Sequence, residues 1–171
     1  MNIKLSAVFA VIAALTFPLC AQAASTEDFV KNAAMAGMFE IQSSQLALNQ
    51  SQNSDVKSFS QQMISDHTKI SDDLKSVLSQ SSAPNMVLPA QLDDKHQGML
   101  DHLQKVAGTG FDHDYAKDQI AGHEEAVSLF KDYAKSGDDP KLKDFAGQTL
   151  PTLQMHLEHA KALQSTLNQN R

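Results

Sequence analysis

From Phe29 to Leu167 the apolar residues recur three or four positions apart over segments far longer than a strand, and most Gly and Pro residues fall between those segments. That spacing lines one side of a helix, so the chain reads as all-α. The first predicted helix runs from about Thr26 to about Gln50, with Ser25 or Thr26 as N-cap and Glu27 and Asp28 in the first turn, where the helix dipole favours negative charge. Its stripe is Phe29, Ala33, Ala36, Glu40, Ser43 and Ala47. A second helix opens at a Ser54-Asp55 cap and runs to about Gln80, carrying Val56, Phe59, Met63, His67, Ile70, Leu74 and Val77 on one face.

Between Leu88-Pro89 and Gly108 a shorter helical stretch holds Leu92, His96, Met99, Leu100 and Leu103, and reads as a crossover arm. After the Gly108-Thr109-Gly110 breaker, a third long helix is expected at Phe111-Asp112, with Asp112 as cap and Phe111 stapled onto Ala116. Its seam is Ala116, Ile120, His123, Val127, Phe130 and Ala134. Asp139 as N-cap and Pro140 at the first helical position start the last helix, which carries Leu142, Phe145, Thr149, Leu153, His156, Ala160, Leu163 and Leu167. Pro151 inside it is expected to kink the helix and free the carbonyl of Gly147. Short connections within each helix pair and one long connection between the pairs predict a ferritin-like four-helix bundle, its crossover containing a short extra helix.

The start of the chain has a different logic. Lys4 precedes an apolar run from Leu5 to Leu19, and Ala21-Gln22-Ala23 supplies the small-x-small pattern of a signal-peptidase site. Residues 1–23 therefore read as a signal peptide and 24–171 as a single helical domain, exported to a periplasm or secreted. The run is shorter than the roughly 20 residues that span a bilayer, so no transmembrane anchor is expected in the mature chain. Cleavage removes Cys20, the only cysteine, which excludes disulfides, thiolate metal sites and cysteine nucleophiles. With 14 Lys and Arg against 20 Asp and Glu, the chain is acidic, which argues against nucleic acid as a partner.

Chemistry is suggested by what interrupts the stripes. Glu40, His67, His123 and His156 each occupy a seam position, one per long helix. At a rise of about 1.5 Å per residue, they lie roughly 15, 20, 20 and 24 Å from the turn of their hairpin, near mid-bundle and at similar height. Imidazole and carboxylate at the centre of a bundle suit iron, manganese, zinc or copper, so these four are the candidate metal ligands. A two-metal carboxylate site needs Glu-x-x-His pairs, and Ile64, Ile120 and Leu153 stand where those glutamates would be. The alternative is a buried polar layer in which the four bond to one another, to Tyr115 or to Asp66, in a non-catalytic protein that binds a partner or small ligand.

The remaining polar residues have plainer readings. Asp66, beside His67, either orients that imidazole or faces solvent, and solvent is the favoured reading since adjacent helical residues point about 100° apart. Tyr115 reads as a core tyrosine with a bonded hydroxyl. His96, His102, His113 and His159 read as surface residues, with Glu158 on a solvated face, and Met35, Met38 and Met63 as core filler. No nucleophile elbow, phosphate loop, zincin motif or Ser-His-Asp spacing is present, so no catalytic or organic-cofactor residues are assigned.

The series Phe59-x3-Met63-x2-Asp66-His67, Leu88-Pro89, Phe111-Asp112-x2-Tyr115, His123-x2-Ala126, Gly137-Asp138-Asp139-Pro140 and Leu150-Pro151-x-Leu153-x2-His156 resembles the bacterial exported family termed domain of unknown function 4142. The similarity extends from about Phe29 to Leu163. It implies a ferritin-like bundle in an exported or outer-membrane protein, with no reaction attached. The family pattern coincides with His67, His123 and His156, whereas Glu40 rests on its position in the bundle alone.

Overall fold

The computed structural model describes residues 25–169. Five helices follow in order: α1 (Thr26–Gln50), α2 (Ser54–Leu78), α3 (Asp94–Lys105), α4 (Gly108–Ser136) and α5 (Pro140–Gln169). Helices α1 and α2 form one hairpin and α4 and α5 the other; α1 also packs on α4 and α2 on α5, which closes a four-helix bundle. The segment between α2 and α4 carries α3 across the α1 and α4 side. This is the expected crossover architecture. The signal peptide read from residues 1–23 lies outside the described residues. Among those described, no helix is long and apolar enough to cross a membrane.

The helix boundaries follow from local hydrogen bonding. Ser25 caps α1, its Oγ accepting from Asp28 N at 3.1 Å. Asn53, rather than Ser54, caps α2: its Oδ1 accepts from Asp55 N and Val56 N, at 2.8 and 3.2 Å. Asp139 caps α5 through Leu142 N at 2.9 Å, as expected, and its other oxygen takes Ser82 N from the crossover at 2.6 Å. Helix α5 continues through Pro151 to Gln169 as one element.

The start of α4 differs from expectation. Gly108, Thr109 and Gly110 form its first turn instead of breaking the chain, and Ala107 occupies the cap position without a side-chain hydrogen bond. Gly108 has φ +61°, a conformation that costs glycine little and other residues more, and this lets the backbone turn sharply out of α3. Asp112 is consequently not a cap but a buried residue inside the helix.

Two apolar clusters fill the bundle. One gathers Phe29, Val30, Leu74, Phe130, Tyr133, Leu142 and Phe145, with Phe29 stacked on Tyr133 at 4.0 Å between ring centroids. The other gathers Val56, Phe59, Met63, Phe111, Tyr115, Leu163 and Leu167. On every long helix the residue that interrupts the stripe lies between the segments feeding these clusters, so the polar group forms a layer across the middle of the bundle. The Tyr115 hydroxyl is bonded as expected, 2.8 Å from Ser44 Oγ and 3.2 Å from Ser60 Oγ.

The α4–α5 turn depends on a missing side chain. A Cβ at Gly137 would sit 2.6 Å from the buried Tyr133 ring, which cannot retreat because Phe29 stacks on it. Gly137→Ala is expected to cost about 2 kcal/mol by overpacking. Urea unfolding checks this, and an unchanged midpoint would show that the turn gives way freely.

Candidate metal centre

Helices α2, α4 and α5 each place one histidine in the central layer: His67, His123 and His156, with relative exposures of 3%, 1% and 0%. Their ring centroids are 5.3 to 5.4 Å apart in all three pairings, a nearly equilateral triangle. One nitrogen from each ring lies within 4.8 Å of the other two. The closest pair, His67 Nε2 and His123 Nε2, is 3.3 Å apart across the bundle. Two imidazole nitrogens bound at about 2.0–2.1 Å to a tetrahedral ion stand about 3.3 Å apart.

The hydrogen bonds that two of the rings make assign their tautomers. His123 Nδ1–H donates to the Gln119 carbonyl one turn earlier on α4, at 2.8 Å, which leaves Nε2 as the unprotonated nitrogen. His156 Nε2–H donates to Asp66 Oδ2 on α2, at 2.9 Å, which leaves Nδ1 with the lone pair. That Nδ1 is buried and has no hydrogen-bond partner. Carbonyl and carboxylate acceptors behind ligating histidines fix tautomer and ring orientation in metal sites, and both kinds stand here.

Burial keeps the three imidazoles neutral. It holds His67 well below the ordinary histidine range, helped by the neighbouring rings of His123 and His156. It pushes His123 down to about 4, against the opposing pull of the Gln119 carbonyl. His156 is lowered as well, again chiefly by burial, with the Asp66 hydrogen bond pulling the other way. Neutral imidazole is the ligand form.

Glu40 belongs to the same layer but stands behind His123. Its Oε1 is 3.8 Å from His123 Nδ1, the nitrogen turned away from His67, and its Oε2 is buried without a partner. Burial raises its carboxyl to about 8. The structure thus gathers His67, His123 and His156 at one point and sets Glu40 beside them on the outer nitrogen of one ring.

Two further residues support the layer, Asp66 in the partner role that the polar-layer reading offered and Gln119 in one that sequence reasoning missed. Asp66 does not simply face solvent; it turns toward His156, its side chain 35% exposed. It also lines a groove of about 910 Å³ between α2 and α5, shared with Lys69, Asp73, Lys141, Asp144 and Met155, and so links the buried triangle to solvent. Gln119 is fully buried and donates to Ser43 Oγ at 3.3 Å while its carbonyl holds His123. Its place four residues before His123 was the available signal. The other histidines stay apart: His102 pairs with Asp114 and His96 with Asp93, His113 meets Gln164, and His159 is exposed.

Comparison with known proteins agrees with this architecture. The fold is similar to a structure of CopM in the Cu(II)-bound form, at TM-score 0.69 and 16% identity, covering 84% of this chain and 97% of that one. A DUF305 fragment from Deinococcus radiodurans gives TM-score 0.69 at 12% identity, covering 84% of this chain and 95% of the fragment. CopM in an Ag-bound form gives 0.68 at 16% identity, covering 84% and 97%. At these identities the likeness is one of fold. No curated protein matches the sequence. Residues 17–163 match the family described as Domain of unknown function (DUF4142). A match over that much of the sequence places the chain in one family: it belongs to DUF4142.

Proposed function

We propose that the chain is an exported helical bundle that binds one transition-metal ion at His67, His123 and His156, with copper the preferred metal. The observation that carries this reading is the buried, orphaned Nδ1 of His156, one of three neutral imidazoles that each offer a nitrogen within 4.8 Å of the other two, while Asp66 holds Nε2 of His156 and the Gln119 carbonyl holds Nδ1 of His123. A buried lone pair without a partner costs about 1–3 kcal/mol, and a metal ion is the partner that three convergent imidazoles suit. Imidazole ligands accept copper, zinc, nickel and iron, and copper forms the strongest complexes of the divalent series. The Cu(II)- and Ag-bound forms of CopM, which share the fold, favour the same choice. Glu40 lies on the outer side of His123, where its carboxyl can offset the charge of a bound cation.

The signal segment supplies the exported setting, and the role is binding rather than turnover. A second reading keeps the same residues as a buried polar layer in an envelope protein that binds a partner. The His67–His123 and His156–Asp66 hydrogen bonds favour it, since they form without a metal. Elemental analysis separates the two. The mature chain, expressed in a periplasm and purified without chelator, is expected to carry close to one metal ion per chain, and a folded His67→Ala/His123→Ala/His156→Ala variant none. If both are metal-free and the native chain takes up no added copper, zinc, iron or manganese, the polar-layer reading stands in its place.

A further inference from the structure

The α2–α5 groove has a counterpart on the opposite side of the bundle. There the crossover helix α3 lies over α1 and α4 and roofs a cleft of about 420 Å³. Phe39 and Glu40 line it from α1, His96 and Met99 from α3, and Gly122 and Leu129 from α4. Phe39 and His96 form one wall, their ring centroids 5.5 Å apart. Lys95 and Glu125, which also line it, pair with each other at 2.9 Å and are exposed, so these charges satisfy one another.

Glu40 is the exception in this lining. It is 3% exposed, and its Oε2 is buried without a hydrogen-bond partner. Its other oxygen lies 2.8 Å from where a Cβ on Gly122 would stand, so the carboxyl occupies space that any other residue at 122 would fill. The three histidines leave Oε2 without a partner. An apolar cleft near the small end of the 300–1,000 Å³ range of ligand pockets, with one unsatisfied polar group, matches a ligand with an apolar body and one polar end.

We propose that this cleft binds a small uncharged molecule with an apolar body and a single hydroxyl, a phenol or a comparable alcohol, whose hydroxyl pairs with Glu40. A hydroxyl both donates and accepts, so it satisfies the Glu40 carboxyl in either protonation state, which an ether or a hydrocarbon does not. The two tilted rings of Phe39 and His96, 54° apart, offer aromatic faces and edges that favour a ring over a chain. The cleft shares Glu40 with the layer that holds the three histidines but does not require a bound ion.

The test uses 4-fluorophenol and 4-fluorotoluene, followed by fluorine NMR titration of the mature chain. The native chain is expected to bind the phenol at least about tenfold more tightly than the toluene. Glu40→Leu is expected to erase that preference, Glu40→Gln to retain most of it, and Ala36→Phe, which fills the cleft from α1 one turn before Glu40, to abolish binding of both probes. Circular dichroism identifies which variants are folded, and Glu40→Gln and Ala36→Phe decide the matter if Glu40→Leu is not. No phenol binding at millimolar concentration, equal affinity for the two probes, or binding that persists in folded Ala36→Phe would each overturn the proposal.

Discussion

Changing any one of His67, His123 or His156 to alanine is expected to weaken Cu(II) binding by at least about a hundredfold, measured by competition with a chelating dye. Removing an acceptor behind a ligating histidine typically costs 10–100-fold, and removing the ligand itself costs more. Asp66→Ala should therefore fall within about 10–100-fold, because it leaves the His156 ring in place and removes only the carboxylate that orients it. The ordering matters more than the size of any single value. His96→Ala or His102→Ala, which stand outside the triangle, should leave affinity unchanged. Equal small losses at all six positions would indicate scattered surface binding.

The second large effect concerns stability of the metal-free chain. Glu40→Gln is expected to stabilise it by roughly 4 kcal/mol more at pH 8.5 than at pH 4.5, measured by urea unfolding. Burial raises the Glu40 carboxyl from 4.5 to about 8, so between those values the folded chain holds a proton that the unfolded chain releases. Stability attributable to this group is therefore intact below about 4.5 and declines as pH rises toward 8. The histidines act in the opposite sense. Their folded values are depressed, to about 4 for His123, so the unfolded chain takes up protons first and stability falls as pH drops below 6.5. The glutamine variant should lose the alkaline decline and keep the acid one. If native and variant respond to pH in parallel, the carboxyl is ionised or solvated in the folded chain and its placement here is wrong.

Much of this arrangement was legible in the residues, and the gaps have physical reasons. Four amphipathic stripes and a fifth, shorter segment gave the bundle and its crossover, because helical period and helix-stop signals are local. The start of α4 was misread because a Gly-x-Gly segment weakens a helix without forbidding it, and the positive φ of Gly108 used that freedom to turn the chain. The seam of α4 was only partly right: Ala116, His123 and Phe130 are buried, but Ile120, Val127 and Ala134 are only partly so, and Tyr115, Gln119, Ala126 and Tyr133 are buried beside them.

For the central layer, helical rise gives height but not which nitrogen of which ring points inward. Counting along the helices therefore placed Glu40 level with the three histidines and could not tell the inner side of His123 from the outer. Nor could it show that Asp66 on α2 reaches His156 on α5, since that contact depends on how two helices pack and on a side chain turning from the solvated face. The cleft beneath α3 depends on Gly122, whose bare Cα is a signal only once Glu40 is known to lie over it.

Convergence of three imidazoles on one ion is read out by pulsed electron paramagnetic resonance of the mature chain loaded with one equivalent of Cu(II). Coupling to the remote nitrogens of three imidazoles is expected, reduced to two when any one of His67, His123 or His156 is replaced. A spectrum with a single imidazole or none, or one that the three substitutions leave unchanged, would contradict it.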